Sequence, residues 1–199
     1  MKYKNIVEIQ MNVKAMAFLA RKDQIISDFG EDRWNTFLET IIKSHPKFKD
    51  YILPTSKIPL EEFMTLQGLM VTEFYNGDET IYWKFGEESA RQSMSEGGVF
   101  HVYMKRKTDP VFFITKILPG VWNLYYDEGS IKNIVEGNVI HSRILDLPRY
   151  YLYFELMVMG YAQCVFELLG IKIIDRIKVK SSARETYYKF ITDLNSEKR

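Results

Sequence analysis

The sequence predicts an α+β fold in which helices pack on one side of a small antiparallel β-sheet. Two observations predict it. Apolar residues recur at helical spacing through most of the first 125 residues, and a strand pattern around a tight turn dominates the remainder. The 199 residues contain no internal repeat, no low-complexity run and no long linker. We therefore expect a single domain spanning residues 1–195.

Helical patterns begin close to the N-terminus. A short strand is predicted over residues 4–10, and residues 13–20 are compatible with either a strand or a helix. From Trp34 onward, apolar side chains recur at i, i+3, i+4, i+7 and i+8, which predicts a helix. Asp32 is suited to cap the start of this helix, and Pro46 ends it.

The next part of the chain predicts a linker and two more helices. Two prolines in residues 51–59 favour a linker. A helix follows from Leu60 to the turn at residues 76–78, and another over residues 79–94. Gly86 either weakens the middle of that second helix or ends a first helix before a new one starts.

The clearest strand signal is a hairpin in the C-terminal third. Residues 130–136 and 139–145 flank the pair Gly137-Asn138, which supplies the positive φ angles of a two-residue turn. The pattern then predicts a long helix over residues 150–169 and two further strands over residues 171–180 and 187–193. These strands complete the sheet, and the helix packs on it.

Composition excludes several classes of protein. A single cysteine cannot build a disulfide framework, which favours a reducing, cytoplasmic location. With 27 Lys and Arg against 26 Asp and Glu, the net charge of +1 does not favour nucleic-acid binding through bulk charge. No apolar run fits a signal peptide, and Glu155 and Glu167 interrupt the apolar helix, so we expect no transmembrane segment.

The residue types that carry catalysis or bind metals do not form recognisable motifs. The sequence contains no P-loop, no G-x-S-x-G and no G-x-G-x-x-G motif. His45, His101 and His141 each lack a second ligand at strand or helix spacing, so we expect no metal site. Cys164 fits a small buried apolar residue. We therefore expect no enzyme; a Glu155 with a strongly raised pKa would be the observation that revives one.

The strand over residues 171–180 carries the strongest charge pattern. Apolar residues alternate with basic ones, and a break at residues 174–175 suits a bend or bulge. The basic residues could face an anion or an acidic partner, or form a solvated outer face; they are Lys172, Arg176, Lys178 and Lys180.

The helix over residues 150–169 is apolar on nearly every side, so it must be covered from more than one direction. The sheet with other helices, a bound apolar ligand or a second subunit could each provide that cover. The aromatic and methionine content of this helix and of residues 122–126 is compatible with either a bound ligand or a dimer interface.

Four segments together resemble a known group of proteins. They are Lys84-Phe-Gly-Glu-Glu-Ser-Ala-Arg91, Gly97-Gly98, Pro119-Gly-Val-Trp-Asn-Leu-Tyr-Tyr-Asp-Glu-Gly129 and Gly160-Tyr-Ala-Gln-Cys-Val-Phe-Glu-Leu-Leu-Gly170. They resemble an uncharacterised bacterial family abundant as paralogues in Myxococcus, and more distantly the superfamily of haem-NO-binding domains, vinyl-reductase-type domains and transport-particle small subunits. The similarity covers most of residues 14–193.

The resemblance implies an α+β fold, often dimeric, whose members bind haem, lipophilic small molecules or acyl chains, or act as scaffolds. It leaves the cofactor undetermined: haem is compatible with it, but no histidine of this sequence matches the haem-binding position.

We therefore expect a non-catalytic bacterial module that binds a small, largely apolar molecule and signals through a homodimer or a protein partner. The expected pocket residues are Trp122, Tyr126, Tyr153, Met157 and Tyr161, with Arg143 as the anchor for a carboxylate or phosphate. The alternative is a scaffold or adaptor that uses the apolar helix 150–169 and the basic strand 171–180.

Overall fold

A computed structural model describes residues 11–50 and 53–194. The strand predicted over residues 4–10 lies outside them. Helices and antiparallel strands are both present, which confirms the predicted α+β fold. The helices are α1 (Met16–Phe29), α2 (Glu31–Ser44), α3 (Leu60–Tyr75), α4 (Ile81–Met94), α5 (His101–Lys105), α6 (Pro110–Phe112), α7 (Trp122–Tyr125) and α8 (Leu152–Leu168).

The strands form two antiparallel sheets among the described residues. They are β1 (Asn12–Lys14), β2 (Lys57–Pro59), β3 (Ser130–Glu136), β4 (Val139–Leu145), β5 (Ile173–Lys180) and β6 (Glu185–Thr192). β1 pairs with β2, and the larger sheet has the order β3-β4-β6-β5. No helix in the described part of the chain is long and apolar enough to cross a membrane.

Most helices and strands end at the turn residues where the sequence predicted their ends. The hairpin joins Glu136 to Val139 through Gly137, whose φ is 61°, whereas the positive φ predicted for Asn138 is wrong. α3 ends at Asn76, which has a left-handed φ of 54°. The predicted cap of α2 is wrong, because Gly30 precedes that helix and Asp32 lies inside its first turn. In the first turn, the Asp32 carboxylate still interacts favourably with the positive N-terminal end of the helix dipole.

Tertiary contacts decided the segments whose local patterns were ambiguous. The predicted linker is partly wrong: residues 57–59 form β2, in which Ile58 lies opposite Val13, and both side chains are fully buried. Residues 110–125 form one irregular helical stretch that contains a π turn at Phe113–Ile117 and a 3-10 turn at Leu118–Val121. Pro119 removes a backbone donor within this stretch.

α8 is the central helix and packs unusually close to α4. A Cβ built on Gly86 would lie 2.0 Å from the Met157 carbonyl oxygen, and one built on Gly160 would lie 2.3 Å from that of Trp83. Because neither glycine has a side chain, the two helix backbones approach each other directly. Gly86 therefore neither divides α4 nor ends it.

The bulge predicted in β5 is present, with a shift in pairing register between Ile173 and Asp175. The faces of this edge strand are the reverse of an ordinary amphipathic strand. Ile177 and Val179 are 44% and 48% exposed, whereas Arg176 and Lys178 reach toward the helices.

Candidate functional site

A cavity of about 620 Å³ lies between the helices and the larger sheet. Its walls come from α1, the C-terminal half of α4 with the loop after it, residues 118–126, the inner faces of β3 and β4, and the middle of α8. This volume lies within the range of roughly 300–1,000 Å³ typical of small-molecule sites. Exposed lining residues, among them Asp23, Glu96 and Gly97, mark where the cavity meets solvent.

Aromatic packing fixes one wall. The rings of Trp122 and Tyr126 lie 4.4 Å apart, and both contact Phe154 of α8. The Trp122 Nε1–H donates to the Glu128 carbonyl oxygen at 2.8 Å, so its one polar group is satisfied. This wall offers an apolar, largely rigid surface.

Tyr161 is held on a second wall through its hydroxyl. The Ser93 Oγ donates to the Ala90 carbonyl oxygen at 2.9 Å and lies 2.7 Å from the Tyr161 hydroxyl. Since the single Ser93 proton is already used, Tyr161 is the donor to Ser93. Burial raises the pKa of Tyr161, so its proton stays in place near neutral pH.

Arg21 is the cation among the described lining residues, and it is 3% exposed. Its guanidinium lies 3.5 Å from the centre of the Phe85 ring and makes one long contact of 3.4 Å with the Phe85 carbonyl oxygen. The Nε–H has no hydrogen-bond partner in the described chain. Burial lowers the pKa of Arg21 to about 10, so it remains charged at neutral pH.

Tyr126 brings a second polar group to the same cavity. Its hydroxyl is buried next to that of Tyr153, yet it has no well-aligned hydrogen bond in the described part of the chain. Burial raises the pKa of Tyr126 well above its ordinary value. Arg21 interacts electrostatically with both tyrosines. The neutral Tyr126 hydroxyl and the charged Arg21 thus form one polar cluster in a mostly apolar cavity.

The sheet contributes a second pair of unsatisfied groups. Asn133 of β3 and Ser142 of β4 lie directly opposite each other and both line the cavity. The Asn133 amide donates to the Ile114 carbonyl oxygen at 3.0 Å, while its Oδ1 and the Ser142 Oγ are buried without partners among the described residues. Buried polar atoms of this kind call for a ligand or water.

The structure brings four predicted pocket residues together on the cavity wall: Trp122, Tyr126, Met157 and Tyr161. Tyr153 lies behind that wall, where its ring packs on Phe63, Tyr82 and Phe154.

Arg143 is on the opposite face of the sheet. Its Nε lies 3.1 Å from Glu185, and its guanidinium lies 4.2 Å from the centre of the Tyr187 ring. Successive strand residues face opposite ways, so Ser142 rather than Arg143 faces the cavity.

The predicted basic surface is largely engaged within the chain. Arg176 lies over the Trp83 ring at 3.8 Å, and Lys178 and Lys180 pair with Glu155 and Glu185 at 2.8 and 2.9 Å. Lys172 remains exposed. These contacts leave less of the strand's positive charge for an external anion than its sequence indicates.

Glu155 is a structural carboxylate rather than a candidate acid or base. It is 1% exposed and accepts hydrogen bonds from four side chains: Tyr150, Lys178, Ser181 and Tyr188. Burial alone would raise the pKa of Glu155, but these hydrogen bonds outweigh it and the pKa is lowered. The raised pKa that would have indicated an enzyme is absent at this residue.

Sequence reasoning missed Arg21, Asn133 and Ser142, although each carried a recognisable signal. Arg21 continues the buried face of α1 between Ala17 and Ile25. Ser142 takes a buried place in the alternation of β4, between two buried isoleucines. A polar residue in the buried phase of an amphipathic element is the pattern to look for.

Comparison with solved structures identifies the fold. An H-NOX protein from S. oneidensis in its Fe(II)NO ligation state matches with a TM-score of 0.63 over 90% of this chain and 98% of that one, at 16% sequence identity. A mutant of an H-NOX protein from the same organism, in the Fe(II) state, matches equally at 17% identity, over 95% of its chain. The chain has the H-NOX fold. This confirms the distant, haem-NO-binding part of the predicted resemblance at the level of fold.

No protein-family model and no curated protein matches the sequence. The Myxococcus part of the resemblance therefore stays a prediction.

The cavity lacks the histidine and cysteine ligands of haem iron. Haem iron is normally held by His, Cys, Met together with His, or Tyr as tyrosinate. The three histidines and Cys164 are all described, and none lines the cavity. The lining Tyr125, Tyr126 and Tyr161 are the remaining ligand types, and burial raises the pKa of each, so each is a neutral phenol in the ligand-free chain. In the described residues, no three His, Cys, Asp or Glu side chains converge on a metal position.

Proposed function

We propose that this protein is a non-catalytic module that binds a small, largely apolar molecule in the cavity between α1, α8 and the sheet. The observation that carries the proposal is the cavity itself: about 620 Å³, mostly apolar walls, and unsatisfied polar atoms on two sides. A cavity with a few convergent polar groups is the general form of a ligand site. An apolar body would replace water along the aromatic wall, and polar groups would set its orientation.

The H-NOX fold supports a sensory role by analogy, since a fold alone does not define a function. We propose that ligand binding is reported to a second copy of the chain or to a protein partner. Both α1 and the loop at residues 95–99 line the cavity and reach the surface, so either element could carry a change in ligand state outward.

A neutral fluorescent probe tests the binding proposal directly. N-phenyl-1-naphthylamine is apolar and uncharged, and its emission rises in apolar surroundings. We expect saturable binding to the full chain and loss of binding in Ala162→Phe, which adds a ring where α8 lines the cavity.

Val179→Phe is the matched control, because it adds a ring on an exposed strand. Native mass spectrometry of gently purified protein gives the complementary readout, a bound mass that is lost on denaturation. Absence of both probe binding and a co-purified molecule would contradict the proposal.

A protein-binding role through β5 is the second candidate. In the described sheet β5 is an edge strand, and Ile174, Ile177 and Val179 are exposed along it. An edge with free backbone groups and apolar side chains suits strand addition by an extended segment of a partner protein.

The apolar helix of the original scaffold hypothesis offers less surface, because most of α8 is buried in its own chain. Ile177→Lys should abolish capture of such a partner in a pull-down without changing probe binding. Unchanged capture would contradict this second candidate.

A further inference from the structure

Arg21 is an unusual group to find buried, because its charge has no carboxylate partner among residues 11–50 and 53–194. No described Asp or Glu forms an ion pair with it, and its Nε–H is unsatisfied. Asp28 interacts with it electrostatically, but the Asp28 carboxylate accepts hydrogen bonds from Gln24 and Tyr75. Burying a charge without a partner is strongly unfavourable.

The Phe85 ring offsets this cost in part. A cation over an aromatic face is stabilised, and more so away from water. The ring covers one face of the guanidinium, however, and leaves its edge, where the N–H groups point, without a strong acceptor. The single contact to the Phe85 carbonyl oxygen at 3.4 Å is long.

Two donors in this part of the cavity lack a well-aligned acceptor among the described residues: the Arg21 Nε–H and the Tyr126 O–H, whose neighbour is the Tyr153 hydroxyl. The electrostatic interaction between Arg21 and Tyr126 places the two groups near each other. A carboxylate carries two oxygens and only accepts hydrogen bonds, so it matches one charged and one neutral donor. A neutral hydroxyl or amide ligand would leave the Arg21 charge uncompensated. The exposed acids Asp23 and Glu96 lie where the cavity meets solvent and are not positioned to fill this role.

We propose that the ligand is an amphipathic acid whose carboxylate pairs with Arg21 and Tyr126 while its apolar body lies along Trp122 and α8. This inference rests on the proposed function and names the chemical class of its ligand. It also moves the anchor from Arg143, on the far face of the sheet, to α1.

The test compares three ligands of one chain length that displace N-phenyl-1-naphthylamine: dodecanoate, 1-dodecanol and dodecylamine, each below its micelle concentration. We expect wild-type protein to bind dodecanoate about tenfold to a hundredfold more tightly than dodecanol, and dodecylamine most weakly. Arg21→Met should remove the preference for the acid while keeping binding of the neutral probe.

Arg33→Met is the matched control, since Arg33 also lies over phenylalanine rings but does not line the cavity. It should keep the full preference. If Arg21→Met does not fold, Arg21→Lys provides the test, because it keeps the charge and loses the fixed geometry; the preference should then be reduced but present.

Each remaining outcome decides against one proposal. Equal binding of dodecanoate and dodecanol by wild-type protein, or a preference that Arg143→Met removes instead, would overturn the assignment to Arg21 and leave the cavity proposal intact. Failure of all three ligands and of the neutral probe would overturn the proposed function itself.

Discussion

Polar side chains that interrupt buried apolar patterns determine what the cavity can recognise. Ser142 and Ser93 both line it and both are buried, but they differ in one respect. The Ser93 hydroxyl bonds to Ala90 and Tyr161, whereas the Ser142 hydroxyl has no partner in the described residues. Removing the Ser93 hydroxyl should therefore lower the free energy of unfolding of the ligand-free protein, whereas removing the Ser142 hydroxyl should raise it.

Ser142→Ala should raise the free energy of unfolding of the ligand-free protein by about 1 kcal/mol, because it removes a buried hydroxyl that pays a desolvation cost. Ser93→Ala should lower it by a similar amount, about 1 kcal/mol. Urea denaturation of both variants measures the difference. A stability loss in Ser142→Ala would show that its hydroxyl already has a structural partner.

Glu155 links α8 to β5 and β6 through a single buried carboxylate. Glu155→Gln should lower the free energy of unfolding at pH 7 by about 2–3 kcal/mol, because it weakens four hydrogen bonds and leaves Lys178 without its counter-charge. Glu167→Gln is the control, since Glu167 is exposed on the same helix.

The effect of Glu155→Gln on the free energy of unfolding should depend on pH, because the pKa of Glu155 is lowered in the folded protein. The stabilisation is fully present above the pKa of an unfolded glutamate, about 4.3, and is lost as the pH falls through the lower folded value. The gap between wild type and Glu155→Gln should therefore shrink below about pH 4.3. A gap that widens on acidification would contradict a lowered pKa.

At the scale of elements, the crossing of α4 and α8 places Met157 and Tyr161 on the cavity wall. It depends on two glycines that allow backbone to touch backbone. Gly68 of α3 is a natural comparison, because a Cβ there would meet nothing within 4 Å. Gly86 is required because α8 packs directly against it, whereas Gly68 meets no neighbour and only lowers the helix propensity of α3.

Gly86→Ala should lower the free energy of unfolding by about 3 kcal/mol or more and reduce probe binding, since the new methyl group forces α8 away. Gly68→Ala should raise it by about 0.5–1 kcal/mol. Thermal and urea unfolding of the two variants check the signs. Equal effects would mean that the close crossing is not required.

The sequence was informative where local chemistry decides the structure. The hairpin around Gly137 and the end of α3 at Asn76 follow from turn residues alone. β2 and the faces of β5 did not follow, because burial of Ile58 against Val13 and attraction of Lys178 to Glu155 join residues distant in sequence. Propensity cannot report such contacts.

The candidate site likewise contains residues that the sequence predicted and residues that it did not. Trp122 and Met157 were predicted because aromatic and apolar clusters are visible in sequence. Arg21 was missed because its partners come from other helices: Phe85 from α4, and Tyr126 from the end of α7. An anchor for an anion is recognisable only once the structure shows that the charge is buried and unpaired.

For the whole molecule, two surfaces compete as the functional one: the cavity inside the fold and the exposed edge at β5. The cavity lies between the helices and the inner face of the described sheet, whereas β5 is the edge strand on which Ile177 and Val179 are exposed. A ligand that fills the cavity should therefore stabilise the segments that line the cavity and leave β5 unchanged. Segments of α1, residues 95–99 and the middle of α8 line the cavity. The apolar side chains of β5 do not line it.

Hydrogen–deuterium exchange with saturating dodecanoate should therefore slow exchange in residues 16–23, 95–99 and 157–162. Exchange in residues 173–180 should stay unchanged at times when exchange proceeds by local opening. Bound ligand raises the cost of opening only the segments that contact it or pack on its neighbours. The same measurement on Arg21→Met should show the slowing reduced most strongly in α1, where the carboxylate would be held. Protection confined to residues 173–192 would place binding on the outer sheet edge and contradict the cavity as the site.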